Sequence, residues 1–198
     1  CGDMDERDMH IEKITGARWL HVTGFAMSVC PGAARAIHRM MEELPEDTKV
    51  CFDPNIRPEA LGVEKTKELC KPVLDRASIV FPSKGEAMMF NDTDTDDEGC
   101  RKWAEQGKIV VLKNGEKGCR VYAGDQVLDV PGFPVTEVDP TGAGDIFCGA
   151  FLVALCEGKS LRDCARFANG AGALSVGKQG PMEGSPDRRE LEDFLAAH

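Results

Sequence analysis

The chain has 198 residues, of which 42% are apolar and 29% are charged, so it is long enough for one well-buried globular domain. Its formal net charge of -10 argues against nucleic acid and anionic membranes as partners, because both favour a basic protein surface. No apolar run reaches the length of a transmembrane helix. The first residues, CGDMDERDMH, are acidic and lack the positive charge and apolar core of a signal peptide.

The nine cysteines are odd in number and include no C-x-x-C pair, which is not the pattern of a secreted domain built on disulfides. We therefore expect most of them to be buried, reduced thiols and the protein to be cytoplasmic. The sequence does not begin with Met, which favours the interpretation that it is a fragment of a longer protein.

Four short apolar segments alternate with stretches of helical periodicity, and each ends at Gly, Pro, Asp or Asn: RWLHVTGF, TKVCFDP, ASIVFPS and KIVVLKN. This alternation predicts an α/β domain with a mainly parallel sheet and helices on both faces. The later segment CRVYAGDQVLDV turns at Ala123-Gly124-Asp125-Gln126 and predicts a hairpin, which gives the sheet an antiparallel edge. The last helix has two candidate caps, Ser185 and Asp187.

The acidic stretch NDTDTDDEG, residues 91–99, lacks the Gly and the terminal Glu of an EF-hand calcium loop. Its acids are typical of a solvated approach to a helix N-terminus, where the helix dipole favours negative charge. We interpret it in that way.

The stretch VDPTGAGDIFCGAFL places Gly142, Ala143 and Gly144 directly before Asp145 and an apolar helix. Small residues at a helix start let a ligand approach the backbone, and the unpaired N–H groups of the first turn favour a phosphoryl group or an oxyanion. A carboxylate beside such an anion can accept the proton of an attacking hydroxyl. The stretch taken alone is also typical of a helix start whose glycines serve packing only.

Several ordered segments resemble one family, the ribokinase/PfkB carbohydrate kinases. DPTGAGDIFCGAFLVAL is similar to its C-terminal signature D-T-x-G-A-G-D, with Pro140 where the family usually has Thr. FDPNIRPEAL resembles the sugar-contacting strand end of 2-keto-3-deoxygluconate kinases and fructokinases, and FPSKGEAMMF resembles the N-x-x-E motif with Ser83 in place of Asn. VLKNGEKGC resembles the nucleotide-binding loop, and FANGAGALSVGKQGPMEGSP resembles the helix and loop around adenine and a monovalent cation.

The resemblance runs from about residue 18 to the C-terminus and implies a ribokinase-like fold with roles for particular residues. Asp145 would be the general base, with Gly142, Ala143 and Gly144 as the anion hole. Glu86 would act on Mg²⁺ through water. The implied nucleotide-binding residues are Lys113, Gly115, Gly118, Asn169 and Ser83, and a potassium-type ion would be surrounded by Asp139, Thr141, Gly180 and Ser185.

The segment Asp53-Pro54-Asn55-Ile56-Arg57 lies at the carboxyl end of a predicted parallel strand, the edge where open α/β sheets bind ligands. An Arg at this edge suits a substrate carboxylate or phosphate. We assign Asp53, Asn55 and Arg57 to the substrate. The alternative for Arg57 is a solvated turn residue.

Plainer alternatives exist for three of the implied site residues. Glu86 could be a surface helix residue, Lys113 a solvated charge at a strand end, and Asn169 a capping or packing residue.

The resemblance implies an ATP-dependent sugar kinase that uses Mg²⁺ and acts on a sugar acid such as 2-keto-3-deoxygluconate. Fructose, a nucleoside or another small alcohol is the alternative substrate. The family's N-terminal lid, often used for homodimerisation, is not legible in residues 1–198, which we interpret as a single ribokinase-like domain forming the C-terminal, nucleotide-binding portion of a longer kinase. A nucleotide-binding protein without catalysis is a further alternative.

Overall fold

A computed structural model of the chain describes His10, Ile14 and residues 16–198. The predictions made from Cys1 and from most of CGDMDERDMH fall outside the described residues. The described part contains a sheet whose strands follow one another in the order β1-β2-β3-β4-β5-β6. Their bounds are β1 Trp19–Thr23, β2 Lys49–Asp53, β3 Ala77–Val80, β4 Ile109–Lys113, β5 Cys119–Ala123 and β6 Gln126–Val130.

The first four strands are parallel. β1 pairs with β2 in unbroken register from Trp19 opposite Lys49 to Thr23 opposite Asp53. The pairing of β2 with β3 shifts register between Val50 and Cys51, and β3 pairs with β4. Only two residues, Gly124 and Asp125, join the neighbouring strands β5 and β6, and so short a connection requires an antiparallel pair. The predicted α/β class, the mainly parallel sheet and its antiparallel edge are confirmed.

A long helix follows each of the first three strands, in agreement with the predicted alternation of strands and helices. Three short helices, α1, α3 and α5, lie between these strands and the long helices. The bounds are α1 Gly24–Val29, α2 Pro31–Glu43, α3 Pro58–Leu61, α4 Val63–Arg76, α5 Glu86–Asn91, α6 Asp96–Glu105, α7 Ala143–Cys156, α8 Leu161–Ser175 and α9 Arg188–Ala197.

Side chains cap several of these helices where the sequence offers a short acceptor. Thr95 accepts from the Glu98 amide at the start of α6, and Ser160 accepts from the Asp163 amide at the start of α8. At α9 the Asp187 side chain accepts from the Glu190 amide while the Glu190 side chain accepts from the Asp187 amide. Of the two candidate caps for the last helix, Asp187 is therefore the one that acts.

The chain divides into two units. Unit 1 extends to Val110 and includes Ala123–Asp125, and unit 2 comprises Val111–Tyr122 and Gln126–His198. The core of unit 1 includes the fully buried side chains Val50, Phe52, Val73, Ile79, Val80 and Trp103. The core of unit 2 includes Val121, Tyr122, Cys148, Phe151 and Ala168. The sequence did not indicate this division, and the single domain stays a prediction.

Eight cysteines lie in the described part of the chain, and all are thiols that form no disulfide. Seven are buried and Cys156 is exposed. Burial raises the pKa of the Cys51, Cys70 and Cys119 thiols to about 12, so these thiols stay protonated at neutral pH. The prediction of mostly buried, reduced thiols is confirmed for these residues. Among the helices described, none combines the length and the apolar character needed to cross a membrane.

Candidate active site

The start of α7 in unit 2 has the conformation that a close-approach loop requires. Gly142 is the residue before the helix and has φ 80°, in the left-handed region that favours glycine. A Cβ on Gly142 would overlap the carbonyl oxygen of Pro181. Position 142 therefore excludes side chains for two independent reasons, conformation and space.

At the start of α7, backbone amides and the ammonium group of Lys113 lie close together. The Ala143 amide donates to the Pro140 carbonyl at 3.2 Å, so the predicted anion hole depends on the later amides of the first turn, which a helix leaves without intrahelical partners. A Cβ placed on Gly144 would lie 3.5 Å from Lys113 Nζ. The ammonium of Lys113 thus lies beside the helix N-terminus, where both favour an anion.

Asp145 lies in the first turn of α7 and is solvent-exposed. Its carboxylate is therefore accessible to a ligand from solution, as a general base must be. In unit 2 the structure therefore places Gly144, Asp145 and the Lys113 ammonium at the start of one helix, and their proposed roles stay predictions.

The predicted nucleotide loop follows β4. Its residues Gly115–Lys117 form a 3₁₀ turn, and the Asn114 amide donates to the Gly118 carbonyl at 2.8 Å. Gly118 has φ 90°, and a Cβ there would overlap the Val130 carbonyl and the Gly132 amide. The absence of a side chain at Gly118 thus allows the backbone at Val130–Gly132 to pack against it. The prediction was that this glycine allows a nucleotide to approach.

Asn169 is buried in α8 of unit 2. Its Nδ2 donates to the carbonyls of Val130 and Pro131 at 3.1 and 3.0 Å. These bonds match the packing alternative, because they hold the chain that follows β6. Contact of Asn169 with adenine stays a prediction.

Asp139 joins two loops of unit 2. Its Oδ1 accepts from the Thr141 amide and its Oδ2 from the Gly180 amide, both at 2.9 Å. Hydrogen bonding, first from the Thr141 side chain and then from the Gly180 amide, lowers the pKa of the Asp139 carboxyl below its ordinary value. The predicted cation residues Asp139, Thr141 and Gly180 are therefore together, whereas Ser185 donates its amide to Met182.

In unit 1 the substrate residues lie at the carboxyl end of β2. Asp53 is buried, and its Oδ1 accepts from the Asn55 amide at 3.1 Å, which stabilises Asn55 at φ 39°. Arg57 is exposed, donates to the Ile56 carbonyl at 3.0 Å, and has its guanidinium carbon 5.8 Å from the centre of the Phe25 ring. Arg57 is thus an exposed cation near the end of β2, and its guanidinium group packs over the ring of Phe25.

Glu86 is buried, with 5% of its surface exposed, so the alternative of a surface helix residue is wrong. Its Oε1 accepts from the Ile56 amide and its Oε2 from the Ser83 amide, both at 2.7 Å. Glu86 therefore connects the segment after β3 with the segment after β2. A carboxylate oxygen can accept more than one hydrogen bond, so a water-mediated role at Mg²⁺ is chemically compatible with these two bonds.

Sequence reasoning missed three residues of this region. A Cβ on Gly24 would overlap the Pro54 carbonyl, so Gly24 allows α1 to approach the end of β2. Phe25 supports Arg57, and Asp96 accepts from the amides of Gly85 and Met88. A Gly directly after β1 is a sequence signal that could have identified Gly24. The contacts of Phe25 and Asp96 have no such signal, because they join residues that are not adjacent in the sequence and lie in different structural elements.

Within the described residues, no three His, Cys, Asp or Glu side chains converge as a metal site. Magnesium in phosphoryl transfer is held largely by substrate phosphates and water with one or two carboxylates, so Glu86 fits such an ion without a dedicated cage.

The chain is similar in sequence to ribokinases and fructokinases. Ribokinase from Bacillus subtilis (strain 168) is 35% identical over 162 residues, covering 79% of this chain and 54% of that protein. Probable fructokinase-4 from Arabidopsis thaliana is 29% identical over 200 residues, covering 95% of this chain and 61% of that protein. The chain thus spans little more than half to about three fifths of the length of these relatives.

Solved structures show the same likeness. An E. coli protein assigned as ribokinase II, in complex with ATP and Mg²⁺, matches with a TM-score of 0.91 at 29% identity, covering 98% of this chain and 64% of that one. Fructokinase from Vibrio cholerae O395, with fructose, ADP and a calcium ion bound, matches with a TM-score of 0.80 at 28% identity, covering 94% of this chain and 64% of that one. The expected ribokinase-like fold is confirmed.

Residues 3–188 match the profile of the pfkB family carbohydrate kinases. This match takes in both units, including the helix start at Gly142 and the strand end at Asp53. The chain belongs to the pfkB family of carbohydrate kinases.

Proposed function

We propose that this chain is part of an ATP-dependent kinase that transfers the γ-phosphate to a hydroxyl of a small sugar or sugar acid. The observation that carries the proposal is the start of α7, where Gly144 lies beside Lys113 and Asp145 is exposed in the same turn. Phosphoryl transfer requires electrostatic stabilisation of the moving group and an acceptor for the hydroxyl proton, and these residues offer both.

In this proposal Asp145 accepts the proton of the attacking sugar hydroxyl. The first-turn amides of α7 and the Lys113 ammonium stabilise the negative charge on the phosphoryl oxygens. Gly142 and Gly144 keep the helix start free of side chains. The match to an ATP- and Mg²⁺-bound structure supports these two ligands, and Mg²⁺ would supply charge neutralisation on the phosphates.

Nucleotide contact is proposed for Lys113, Gly115, Gly118, Asn169 and Ser83. A potassium-type ion near Asp139 and Thr141 is a further proposal. The Asp139 carboxylate already accepts two backbone amides, so backbone carbonyls would supply most of the ion's ligands. Homodimerisation and a cytoplasmic location stay predictions.

For the substrate we propose that Asp53, Asn55 and Arg57 contact the sugar. An exposed guanidinium at this strand end favours an acid sugar such as 2-keto-3-deoxygluconate. The fructokinase relatives and the fructose-bound neighbour support fructose equally. The two substrates therefore have to be separated by experiment.

The proposal is tested by ADP release from this chain with ATP, Mg²⁺ and K⁺, with 2-keto-3-deoxygluconate, fructose and ribose as parallel acceptors. We expect acceptor-dependent turnover, and Asp145→Asn should lower kcat by about 10²- to 10⁴-fold, the usual contribution of a general base. Asp125→Asn, in the exposed hairpin turn, is the control and should keep full activity. Turnover that survives Asp145→Asn would contradict the base assignment, and ATP binding without transfer to any acceptor would favour the non-catalytic alternative.

Arg57→Met then separates the two substrate classes, because Met keeps an apolar stem over Phe25 and removes the charge. If the sugar acid is the substrate, KM for it should rise by about 10- to 100-fold, the loss of one charge-assisted contact. If KM for fructose and for the acid change equally, the carboxylate contact is wrong.

A further inference from the structure

Helix α5, which carries Glu86, has no N-cap of its own. The residue before it is Gly85, with φ 91° and no side chain to accept from the first-turn amides. The acceptor comes instead from α6. Asp96 Oδ2 accepts from the Gly85 amide at 2.6 Å, and its Oδ1 accepts from the Met88 amide at 3.2 Å. Asp96 thus caps a helix that begins ten residues earlier in the chain.

Other contacts fix α5 against α6. A Cβ on Gly99 would overlap the Ala87 carbonyl, so the two backbones approach as closely as glycine permits. Asn91 Nδ2 donates to the carbonyls of Ala87 and Gly99 at 3.2 and 3.1 Å. The rings of Phe90 and Trp103 lie 6.0 Å apart. The two helices are therefore tied at both ends and in the middle, so a change at Asp96 acts on the N-terminal turn and not on the whole pair.

The turn that Asp96 holds is the one that positions Glu86. Glu86 is the first residue of α5, and its carboxylate accepts from the Ile56 amide at 2.7 Å. Ile56 lies between Asn55, which has φ 39°, and Arg57. The bond from Glu86 thus holds the segment that contains two of the proposed sugar-contacting residues.

We propose that Asp96 is a positioning residue for sugar binding: it caps α5, α5 orients Glu86, and Glu86 holds the Asn55–Arg57 segment through the Ile56 amide. The inference rests on the proposed function for its effect on sugar, because it takes Asn55 and Arg57 as substrate contacts. The effect on the backbone does not depend on that function.

The chemistry of Asp96 suits this role. A carboxylate offers two acceptor oxygens on one short arm, and the two amides that bind it belong to the residue before α5 and to the third residue of α5, Gly85 and Met88. Asn at position 96 would keep one acceptor and Ala would keep none. A graded loss is therefore expected, with Asp96→Asn the milder variant and Asp96→Ala the stronger.

The first measurement is amide hydrogen exchange in the 198-residue chain. In Asp96→Ala, exchange of the Ile56 and Ser83 amides should accelerate by about tenfold, the equivalent of one lost hydrogen bond, with a smaller effect in Asp96→Asn. The β-strand amides of Phe52 and Val80 should keep their rates. Asp97→Asn is the matched control, since it removes the same charge from the same helical turn and its carboxylate pairs with Arg101 on the surface.

The second measurement is steady-state kinetics with the sugar that supports the fastest turnover in the ADP-release experiment. Asp96→Ala should raise KM for the sugar by about tenfold and KM for ATP by less, because Glu86 holds two proposed sugar contacts through the Ile56 amide but only one proposed nucleotide contact through the Ser83 amide. A purely structural role would change the amount of folded protein, and thus apparent kcat, without this split. Asp97→Asn should change neither KM.

Unchanged exchange at Ile56, equal acceleration at the strand amides, or the same acceleration in Asp97→Asn would each overturn the proposed relay. A loosened Ile56 amide with an unchanged sugar KM would overturn its role in sugar binding. If the wild-type chain transfers no phosphate, the proposed function fails for this chain, while the exchange measurement still decides whether Asp96 positions Glu86.

Discussion

Each of the two units has a carboxylate near a glycine at the start of a helix, but the two carboxylates have opposite surroundings. In unit 1, Glu86 is buried, and both of its oxygens accept from backbone amides. In unit 2, Asp145 is exposed in the first turn of α7. A buried carboxylate with its acceptors engaged stabilises the chain around it, whereas an exposed one at a helix start is accessible to a ligand. The comparison separates a residue that stabilises the chain around it from one that is free to meet a ligand from solution.

The largest expected effect on stability comes from the buried carboxylate. Glu86→Ala leaves the buried Ile56 amide and the Ser83 amide without their acceptor, and should lower the free energy of unfolding by about 2–4 kcal/mol. Urea unfolding measures this change. Glu59→Ala, an exposed Glu in the first turn of α3, is the control and should stay within about 0.5 kcal/mol of the wild type. Equal effects of the two variants would contradict the structural role of Glu86.

The next effect tests the helix start itself. Gly142→Ala requires a strained left-handed Ala and an overlap with the Pro181 carbonyl, and should destabilise the chain by about 1–3 kcal/mol. Gly149→Ala in the same helix meets nothing within 4 Å and should stabilise the chain by about 0.5–1 kcal/mol, because Ala favours a helix more than Gly does. Thermal unfolding of the two variants measures the contrast. The midpoint should fall in Gly142→Ala and rise in Gly149→Ala, and a change of the same sign in both would contradict the prediction.

Asp145→Asn should change the free energy of unfolding by no more than about 0.5 kcal/mol, much less than Glu86→Ala does, since the Asp145 side chain is exposed. Together with the loss of turnover expected above, this result would sharpen the contrast with Glu86. A destabilisation as large as that of Glu86→Ala would instead make Asp145 a structural residue.

A small pH effect is expected from Asp139. Hydrogen bonds from the Thr141 side chain and the Gly180 amide hold its folded-state pKa below the ordinary value of 3.8. The folded state therefore binds fewer protons at this group than the unfolded chain does. The resulting stabilisation is present above pH 3.8 and is lost as the pH falls through the lower, folded-state pKa. Unfolding midpoints measured from about pH 6 down to about pH 2 should thus fall less steeply on the acid side in Asp139→Asn than in the wild type, with Asp125→Asn as control.

The amino-acid sequence by itself determined the α/β class, the order of the strands in the chain and the hairpin, because each follows from local periodicity and turn residues. It also located the helix start at Gly142 to Asp145, since glycines and an acid before an apolar helix are adjacent in the chain. The family resemblance added Lys113, which the structure places beside Gly144.

Only the tertiary structure decided what Glu86, Gly118, Asn169 and Asp96 contact, because each of these residues contacts chain that is not adjacent to it in sequence. The separation is 8 positions for Asp96 and Met88 and 39 for Asn169 and Val130. The acidic stretch 91–99 illustrates the difference. The sequence correctly placed its acids near the N-terminus of a helix, and α6 begins at Asp96. That the same Asp96 caps α5 depends on the approach of two helix backbones at Gly99, and such an approach leaves no periodic signal in the sequence.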